Sequence, residues 1–148
     1  MENAPTPFPR IDFYVTADPA PGGASLLACR LAEKAWLSGH RVYLHTTSPE
    51  AAARLDDTLW TFRQDSFVPH GRWPEQSRDD LPILVGCGDD PAGFGDVLIN
   101  LTADVPVFHR RFSRVLEVIA GDPVAKEAGR TRFRFYQKEG YPLHTHEV

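Results

Sequence analysis

The 148-residue sequence predicts an α/β fold, a three-layer sandwich around a mostly parallel central sheet. Three observations support this class. Strand-like and helix-like segments alternate in the first half of the chain, the later strands are short apolar runs typical of strands covered on both faces, and segments with helical spacing follow them. The predicted order is βαβα, then two strands, then two helices, which is a Rossmann-like topology.

The first strand and helix are predicted at the start of this alternation. Residues 11–15 form an apolar and aromatic run, and the proline- and glycine-rich segment 18–23 predicts the turn after it. A helix comes next, with Ser25 as its capping residue and Gly39 just past its end. Its apolar positions recur at helical spacing, at Leu27, Leu31, Ala35 and the flanking Trp36.

The second strand and helix repeat this pattern. Residues 41–45 predict the strand. Ser48 precedes Pro49, and a capping hydroxyl before a first-position proline is typical of a helix start. The helix is expected to run through Leu55 and to carry Trp60 at its far end.

The second half of the chain begins with a polar stretch. Residues 71–80 lack periodicity, so we expect a surface loop there. The elements predicted after it are strands at 83–86 and 96–101 and helices at 107–119 and 123–139. We see no internal repeat, and the predicted organisation is a flexible N-terminal extension (1–10), a single α/β domain (11–143) and a C-terminal tail (144–148).

Composition narrows the class of protein. The chain has 20 acidic and 16 basic residues and a formal net charge of −4, which argues against wholesale nucleic-acid binding because such domains are usually basic. Cys29 and Cys87 lie far apart in apolar surroundings, which favours reduced core cysteines over a disulfide framework. We find no signal peptide and no apolar run near the ~20 residues that span a bilayer. A cytoplasmic protein without membrane association is expected.

Rossmann-like sheets often bind nucleotides, but the glycine motifs for this function are missing. After the first strand the chain reads P-G-G-A at 21–24 instead of G-x-G-x-x-G, and no G-x-x-x-x-G-K-[ST] motif occurs. Cys87 follows a strand, yet no base that would activate a thiolate is evident nearby. The sequence therefore favours a buried cysteine over a nucleophile and predicts no nucleotide cofactor.

Metal and acid–base sites are not supported either. His144 and His146 lack the remaining ligands of a structural zinc site and are expected in a solvated tail. The aspartate pairs at 56–57, 79–80 and 89–90 resemble catalytic or magnesium carboxylates only in number. We predict no catalytic residue, no metal and no cofactor.

Two features instead suggest binding surfaces, and the first is aromatic. Trp60 lies at a helix end, and Phe67 comes just before Pro69. Because burying such a ring contributes roughly 1.5–3 kcal/mol, each ring is expected either to fill the protein's own core or to dock onto another protein.

The second feature is a basic stripe on the last predicted helix, which we define as Lys126, Arg130 and Arg134. These residues recur every four positions and share one face. The stripe is either a solvated helix face or one side of a site for an acidic peptide, whose free carboxylate an arginine would clamp with two hydrogen bonds. The apolar residues that could form a pocket beside it are Ile119, Val124 and Phe133.

Several segments together carry a family resemblance. The most specific is L-W at 59–60 followed by S-F-V-P-H at 66–70. The others are F-Y at 13–14, A-E-K-A-W-L-S-G-H-R-V at 32–42, A-R-L-D-D-T-L-W at 53–60, D-V-L-I-N-L at 96–101, and Arg130, Phe133, Arg134, Tyr136, Gly140 and Tyr141. On these segments the chain resembles the chi subunit family of the bacterial DNA polymerase III holoenzyme, over about residues 11–143.

The resemblance implies a noncatalytic bridging role with two surfaces. One surface would bind psi, the small subunit that tethers chi to the clamp-loader complex. The family positions for psi are matched by Trp60, Phe67 and Pro69, with Val68 and His70 adjoining them.

The other implied surface would bind the acidic C-terminal tail of single-stranded-DNA-binding protein, which ends in phenylalanine. The family's basic positions are matched by Lys126, Arg130 and Arg134, and its apolar positions by Ile119 and Phe133. Phe133 stands where a tyrosine is familiar, and Arg134 stands where a lysine is familiar, so ring and charge are both retained.

Alternative interpretations stay open on the sequence. The chain could be a nucleotide-dependent enzyme on the same sheet, or a direct single-stranded-DNA-binding module that uses the basic stripe. Trp60 could mainly pack against the sheet, and the aromatic surface could serve a partner other than psi. Under the bridging interpretation, contact with DNA is only indirect.

Overall fold

The computed structural model describes residues 9–17, 22–65, 67–78, 80–88, 90–91 and 93–148. Its elements in chain order are β1 (Arg10–Val15), α1 (Gly23–Leu37), β2 (Val42–Thr46), α2 (Pro49–Thr61), β3 (His70–Arg72), β4 (Ile83–Cys87), β5 (Val97–Asn100), a 3-10 turn (His109–Arg111), β6 (Arg114–Ile119), α3 (Pro123–Glu139) and β7 (Leu143–Glu147).

The seven strands form one sheet in the order β3-β4-β2-β5-β6-β1-β7. Every pairing between neighbouring strands is parallel; Val42, for example, pairs with Ile83 on one side and with Val97 on the other. All residues of β2 and β5 are buried, as expected for strands covered on both faces. The predicted α/β class with a parallel central sheet is confirmed.

Helices cover the two faces of the sheet and divide the core in two. On one face, buried residues of α1 and α2 such as Ala28 and Leu55 pack against Val42 and Leu44. On the other face, α3 contributes Tyr136 to a separate cluster, which also contains Ile11 and Phe13 of β1, Tyr43 of β2 and Leu98 of β5. Side chains alternate between the faces because successive residues of a strand point in opposite directions.

The helix boundaries show which local signals operate. Ser48 caps α2 by accepting a hydrogen bond from the Ala51 amide at 3.1 Å, as predicted. Asp122 does the same for α3 from Ala125, and Gly140 ends α3 at a φ of 87°, where glycine is favoured. The prediction that Ser25 caps α1 is wrong, because that helix starts two residues earlier and its cap residue provides no side-chain hydrogen bond.

The helix predicted at 107–119 is also wrong. The segment forms a 3-10 turn at His109–Arg111 and then strand β6. Five apolar residues, Phe108, Phe112, Val115, Leu116 and Ile119, predicted the helix by their spacing. However, β6 lies in the sheet between β5 and β1, where strands buried on both faces become continuous apolar runs. A short apolar run of this kind fits a helix as well as a strand, and pairing with β5 and β1 makes it a strand.

Two segments that we expected outside the sheet contribute to its edge strands. The predicted surface loop at 71–80 gives only its first two residues to β3. Most of the predicted solvated tail at 144–148 belongs to β7, which pairs with β1 along residues 143–147. His146 of β7 lies 2.9 Å from Asp12, and its ring stacks on Tyr14 at 4.5 Å. Long-range pairing, which local polarity does not reveal, orders this terminus.

Some predictions fall outside the described residues. These are most of the N-terminal extension (1–8), part of the predicted turn (18–21), and Asp79 and Asp89 of the aspartate pairs. Of the cysteines, Cys29 is buried in the core, and burial raises the pKa of its thiol to about 12, whereas Cys87 at the end of β4 is half-buried; both are free. The core placement predicted for Cys29 is confirmed.

Candidate partner-binding surfaces

The two predicted surfaces lie at opposite edges of the sheet. Trp60 is in the last turn of α2, which packs beside β3 and β4, and Phe67 lies in the segment that leads into β3. The basic stripe is on α3, which lies over β6 and β1 near the other edge, formed by β7. The sheet therefore separates the two sets of residues.

The first surface consists of two exposed aromatic rings and a neighbouring proline. We call it the aromatic surface and define it as Trp60, Phe67 and Pro69. Trp60 is 51% exposed and Phe67 is 65% exposed, and their ring centroids are 5.4 Å apart. Neither ring fills the core, so the alternative that Trp60 mainly packs against the sheet is not what the structure shows. Exposed large apolar side chains placed side by side are typical of a docking site.

Val68 and His70 have a different role from the rings beside them. Both are buried, and the His70 Nδ1–H donates to the Val68 carbonyl at 2.7 Å. The His70 ring also lies 4.7 Å from the Trp60 ring. These two predicted partner-binding residues therefore support the aromatic surface from below and do not form its exposed part.

The second surface is a groove between α3 and β7, which we call the basic groove. Its volume is about 250 Å³, and it is lined by Phe13, Val15, Ile119, Lys126, Gly129, Arg130, Phe133 and Thr145. The floor is apolar and comes from β1 and β6, and the two cations stand on the helical wall. An apolar hollow beside paired cations suits a peptide that ends in an apolar side chain and a carboxylate.

Gly129 gives the groove its shape. It is buried, and a Cβ placed on it would collide with Cδ1 of Ile119. Without a side chain there, α3 approaches β6 closely enough for Ile119 to form part of the floor. Phe133 completes the apolar side through an edge-to-face contact with Phe13 at 5.2 Å.

The structure brings together four of the six residues predicted for this site, namely Ile119, Lys126, Arg130 and Phe133. It leaves two outside the groove lining. Val124 is 81% exposed and borders a separate hollow at the start of α3. Arg134 lies one turn beyond Arg130, where its guanidinium is mostly exposed.

Glu127 lowers the net charge of the basic stripe. Its carboxylate is 2.9 Å from the guanidinium of Arg130 and 3.9 Å from that of Arg134. All three side chains are largely exposed, and such pairs contribute only about 0–1 kcal/mol, so a ligand carboxylate could displace Glu127. For Lys126, no ion pair is found among the described residues.

Arg132 is also a basic residue of α3, but it is buried and faces the sheet. Its Nε donates to Glu117 of β6 at 2.8 Å, and the same carboxylate accepts from the Tyr136 hydroxyl at 2.7 Å and from the Asn100 amide at 3.0 Å. Burial raises the pKa of Glu117, and the positive charge of Arg132 opposes this shift. The network joins α3 to β5 and β6 and so holds the helical wall of the groove.

Sequence reasoning missed four groove residues and this network. Phe13, Val15 and Thr145 belong to two paired strands, one of which was predicted as a tail, and the fourth residue, Gly129, lies on α3 beside Arg130. The available signal for Glu117 was an acidic residue inside an apolar run, since such a residue is rarely buried without a partner.

The described residues contain no cluster of three or more histidine, cysteine or acidic side chains that could hold a metal ion. None of the helices in this part of the chain has the length and apolar character needed to cross a membrane.

Comparison with known proteins identifies the family. The family model described as DNA polymerase III chi subunit, HolC, matches residues 8–144. The chain is 42% identical over 139 residues to DNA polymerase III subunit chi of Pseudomonas aeruginosa, covering 94% of this chain and 96% of the relative. The subunit of the same name from Haemophilus influenzae is 28% identical over 137 residues, covering 92% of this chain and 95% of the relative. The one from Escherichia coli is 30% identical over 120 residues, covering 80% of this chain and 82% of the relative. The chain belongs to the DNA polymerase III chi subunit family.

Proposed function

We propose that this replication subunit is a noncatalytic bridge that binds the psi subunit of the clamp-loader complex through the aromatic surface and the acidic tail of single-stranded-DNA-binding protein through the basic groove. Family membership supports a role in the polymerase assembly. The observation that carries the proposal is the basic groove itself, where an apolar hollow and two cations, Lys126 and Arg130, share one opening.

The groove fits the chemistry of such a tail. A terminal aromatic side chain would lie on the apolar floor formed by Ile119 and Phe133, and its carboxylate would lie within reach of Lys126 or Arg130. Charge-assisted hydrogen bonds to a carboxylate contribute roughly 1.5–3 kcal/mol. Further acidic residues of the tail would interact with the exposed Arg134.

The aromatic surface fits a protein partner. Trp60 and Phe67 are neighbours in contact and each is half or more exposed. Aromatic residues are enriched at the centres of protein interfaces, where they provide much of the binding energy. Psi is the partner that the family resemblance implies for this position.

The bridging mechanism requires no catalysis. A domain that links coated single-stranded DNA to the clamp loader gains avidity, so modest affinity at each surface is enough to hold the assembly. The location of the two surfaces at opposite edges of the sheet supports simultaneous binding, because a partner at one edge leaves the other edge free.

Replacement of one groove cation tests the proposal. Arg130→Ala should weaken binding of a synthetic acidic tail peptide ending in phenylalanine by about tenfold or more, because a charge-assisted hydrogen bond is lost. Isothermal calorimetry measures this change. Lys138→Ala is the matched control, since it removes the same charge from the same helix outside the groove lining.

Equal affinities of Arg130→Ala and the unaltered protein would remove Arg130 from the site. No binding of the peptide by the unaltered protein would refute the tail-binding half of the proposal. Binding of bare single-stranded DNA that weakens steeply with salt would instead favour direct DNA binding.

A further inference from the structure

A pocket with no assigned role opens beside the aromatic surface. It has a volume of about 420 Å³ and lies between α2 and the segment that joins β3 to β4. Trp60 forms part of its wall, and its charged or ionisable lining residues are Asp56, His70, Glu75 and Arg78. Because Trp60 belongs to both features, the pocket and the aromatic surface are continuous.

The pocket wall is built by an ordered loop. The Gln76 amide donates to the Arg72 carbonyl at 2.7 Å, and the Arg72 amide donates to the Gln76 side chain at 3.0 Å. A Cβ on Gly71 would lie 2.8 Å from the Gln76 carbonyl oxygen and 2.7 Å from Cδ1 of Leu81. Glycine is therefore needed at 71 for the loop to close against β3 and hold Glu75 at the pocket.

The charges of the pocket are predominantly negative. Asp56 and Glu75 contribute two carboxylates. The one cationic side chain among the lining residues, Arg78, pairs with Asp80 at 3.1 Å, and both members of that pair are largely exposed. A positively charged group that entered the pocket would meet two carboxylates. Asp56 lies beside the ring of His70, and no ion pair of Glu75 is found among the described residues.

His70 supplies an independent observation. Its side chain is only 1% exposed, and its Nδ1–H is committed to the Val68 carbonyl. Its other nitrogen, Nε2, lies 3.0 Å from Oδ1 of Asp56 but makes no hydrogen bond within the described residues. This buried nitrogen therefore borders the pocket with no hydrogen bond from the described residues to satisfy it, which is rare for a buried polar atom.

We propose that this pocket receives the basic side chain, arginine or lysine, of the protein that docks on the aromatic surface. The cation would pair with Asp56 and Glu75, next to the buried Nε2 of His70. Its approach along Trp60 would add a cation–π interaction, while apolar residues of the same partner segment cover Phe67. This inference rests on the proposed function and specifies what the partner must present beside its apolar contacts.

The residue types favour a side chain over a free metal ion. The described residues offer no group of three metal-ligating side chains, whereas two carboxylates beside an indole ring suit a guanidinium or ammonium group. The partner segment is therefore expected to carry a basic residue close to an apolar or aromatic one.

The test uses the psi subunit and two variants of this chain. The double variant Asp56→Asn/Glu75→Gln should weaken psi binding by about tenfold or more in isothermal calorimetry, because charge-assisted contacts are lost. Asp57→Asn is the matched control. Asp57 is exposed, neighbours Asp56 on α2 and does not line the pocket, so its replacement should change the affinity by less than about twofold.

A second measurement identifies the basic residue. Each arginine and lysine of psi is replaced by alanine, and each variant is titrated against the unaltered chain and against Asp56→Asn/Glu75→Gln. One replacement should weaken binding to the unaltered chain and have little further effect on the double variant, which is the signature of a direct contact. Thermal unfolding of each variant checks that the fold is retained.

The outcomes separate this inference from the proposed function. If psi binds with the same affinity to Asp56→Asn/Glu75→Gln as to the unaltered chain, the pocket does not receive a cation, and psi binding by the aromatic surface stands. If no basic residue of psi couples to the pocket, the inference is likewise refuted. If the unaltered chain does not bind psi, both the inference and the psi half of the proposed function are wrong.

Discussion

At the residue scale, two arginines of α3 that are only two residues apart have unrelated roles. Arg130 stands at the mouth of the basic groove, whereas Arg132 is buried against Glu117. Helix geometry explains the difference, because residues two apart point in different directions. Arg132 also donates to the Ala103 carbonyl at 3.0 Å, so its guanidinium is satisfied on the sheet side.

Loss of this buried cation should destabilise the protein. Arg132→Met leaves the Glu117 carboxylate buried without its counterion, and breaking a buried pair in this way costs roughly 3–5 kcal/mol. Urea denaturation measures the free energy of unfolding. Arg134→Met is the control, since that side chain is exposed and its loss should change stability by less than about 0.5 kcal/mol. A comparable small effect for Arg132→Met would show that the pair contributes little.

Phe67 is the residue through which the aromatic surface can be tested. Phe67→Ala should abolish copurification with psi and leave binding of the acidic tail peptide unchanged, because the ring is 65% exposed and belongs to the opposite edge from the groove. Val107→Ala, at an exposed apolar residue elsewhere, is the control. Unchanged copurification with psi, in a variant that still folds, would exclude Phe67 from the interface.

At the element scale, strand β7 decides whether the basic groove exists. Thr145 of β7 lines the groove opposite α3, and β7 is held to β1 by pairing and by His146, which contacts Asp12. Asp12 is itself buried and also accepts hydrogen bonds from Arg10 and Arg114. One carboxylate therefore connects three strands at this edge of the sheet.

The lowered pKa of Asp12 predicts how the stability of the fold depends on pH. Burial alone would raise the pKa of Asp12, but hydrogen bonds from His146, Arg10 and Arg114 outweigh it and lower the pKa below the usual 3.8. A carboxyl with a lower pKa in the folded state stabilises the fold above its unfolded pKa, and this contribution is lost as the pH falls from about 4 through the folded value.

Urea denaturation across about pH 2 to 5 checks this prediction. The free energy of unfolding should decrease as the pH is lowered through that range. Asp12→Asn should make this dependence on pH less steep. Asp57→Asn should leave the dependence unchanged, because Asp57 is exposed. An unaltered slope in Asp12→Asn would mean that other carboxyl groups account for the acid sensitivity.

At the scale of the whole molecule, the parallel sheet acts as a spacer. Six inter-strand steps of about 4.8 Å separate β3 from β7, which places the two edges about 29 Å apart. The aromatic surface and the basic groove draw their described lining residues from different elements. Two partners could therefore bind without contact between them.

This separation predicts independent binding. The affinity of the acidic tail peptide for the preformed complex with psi should lie within about twofold of its affinity for the free subunit, since coupling between sites requires a structural element that both ligands bias. Calorimetric titration of the peptide into each form measures the ratio. Displacement of psi by the peptide would contradict the assignment of the two partners to separate edges.

The sequence by itself determined the class of the fold and several local features. Apolar runs such as 83–86 and 96–101 indicate strands covered on both faces, and Ser48 with Pro49 marks the start of α2, because these signals depend only on neighbouring residues. The aromatic pair Trp60 and Phe67 was also recognisable, since two large rings near a helix end require some partner.

Only the tertiary structure decided the places of β3, β6 and β7. Their local patterns are polar or fit a helix as well as a strand, and pairing with strands distant in sequence fixes them in the sheet. The same pairing brings Phe13 and Thr145 to the basic groove, turns Arg132 inward to Glu117, and leaves Val124 outside. The groove walls come from residues more than a hundred positions apart in the sequence. Local periodicity cannot predict such contacts, because it reflects only neighbouring residues.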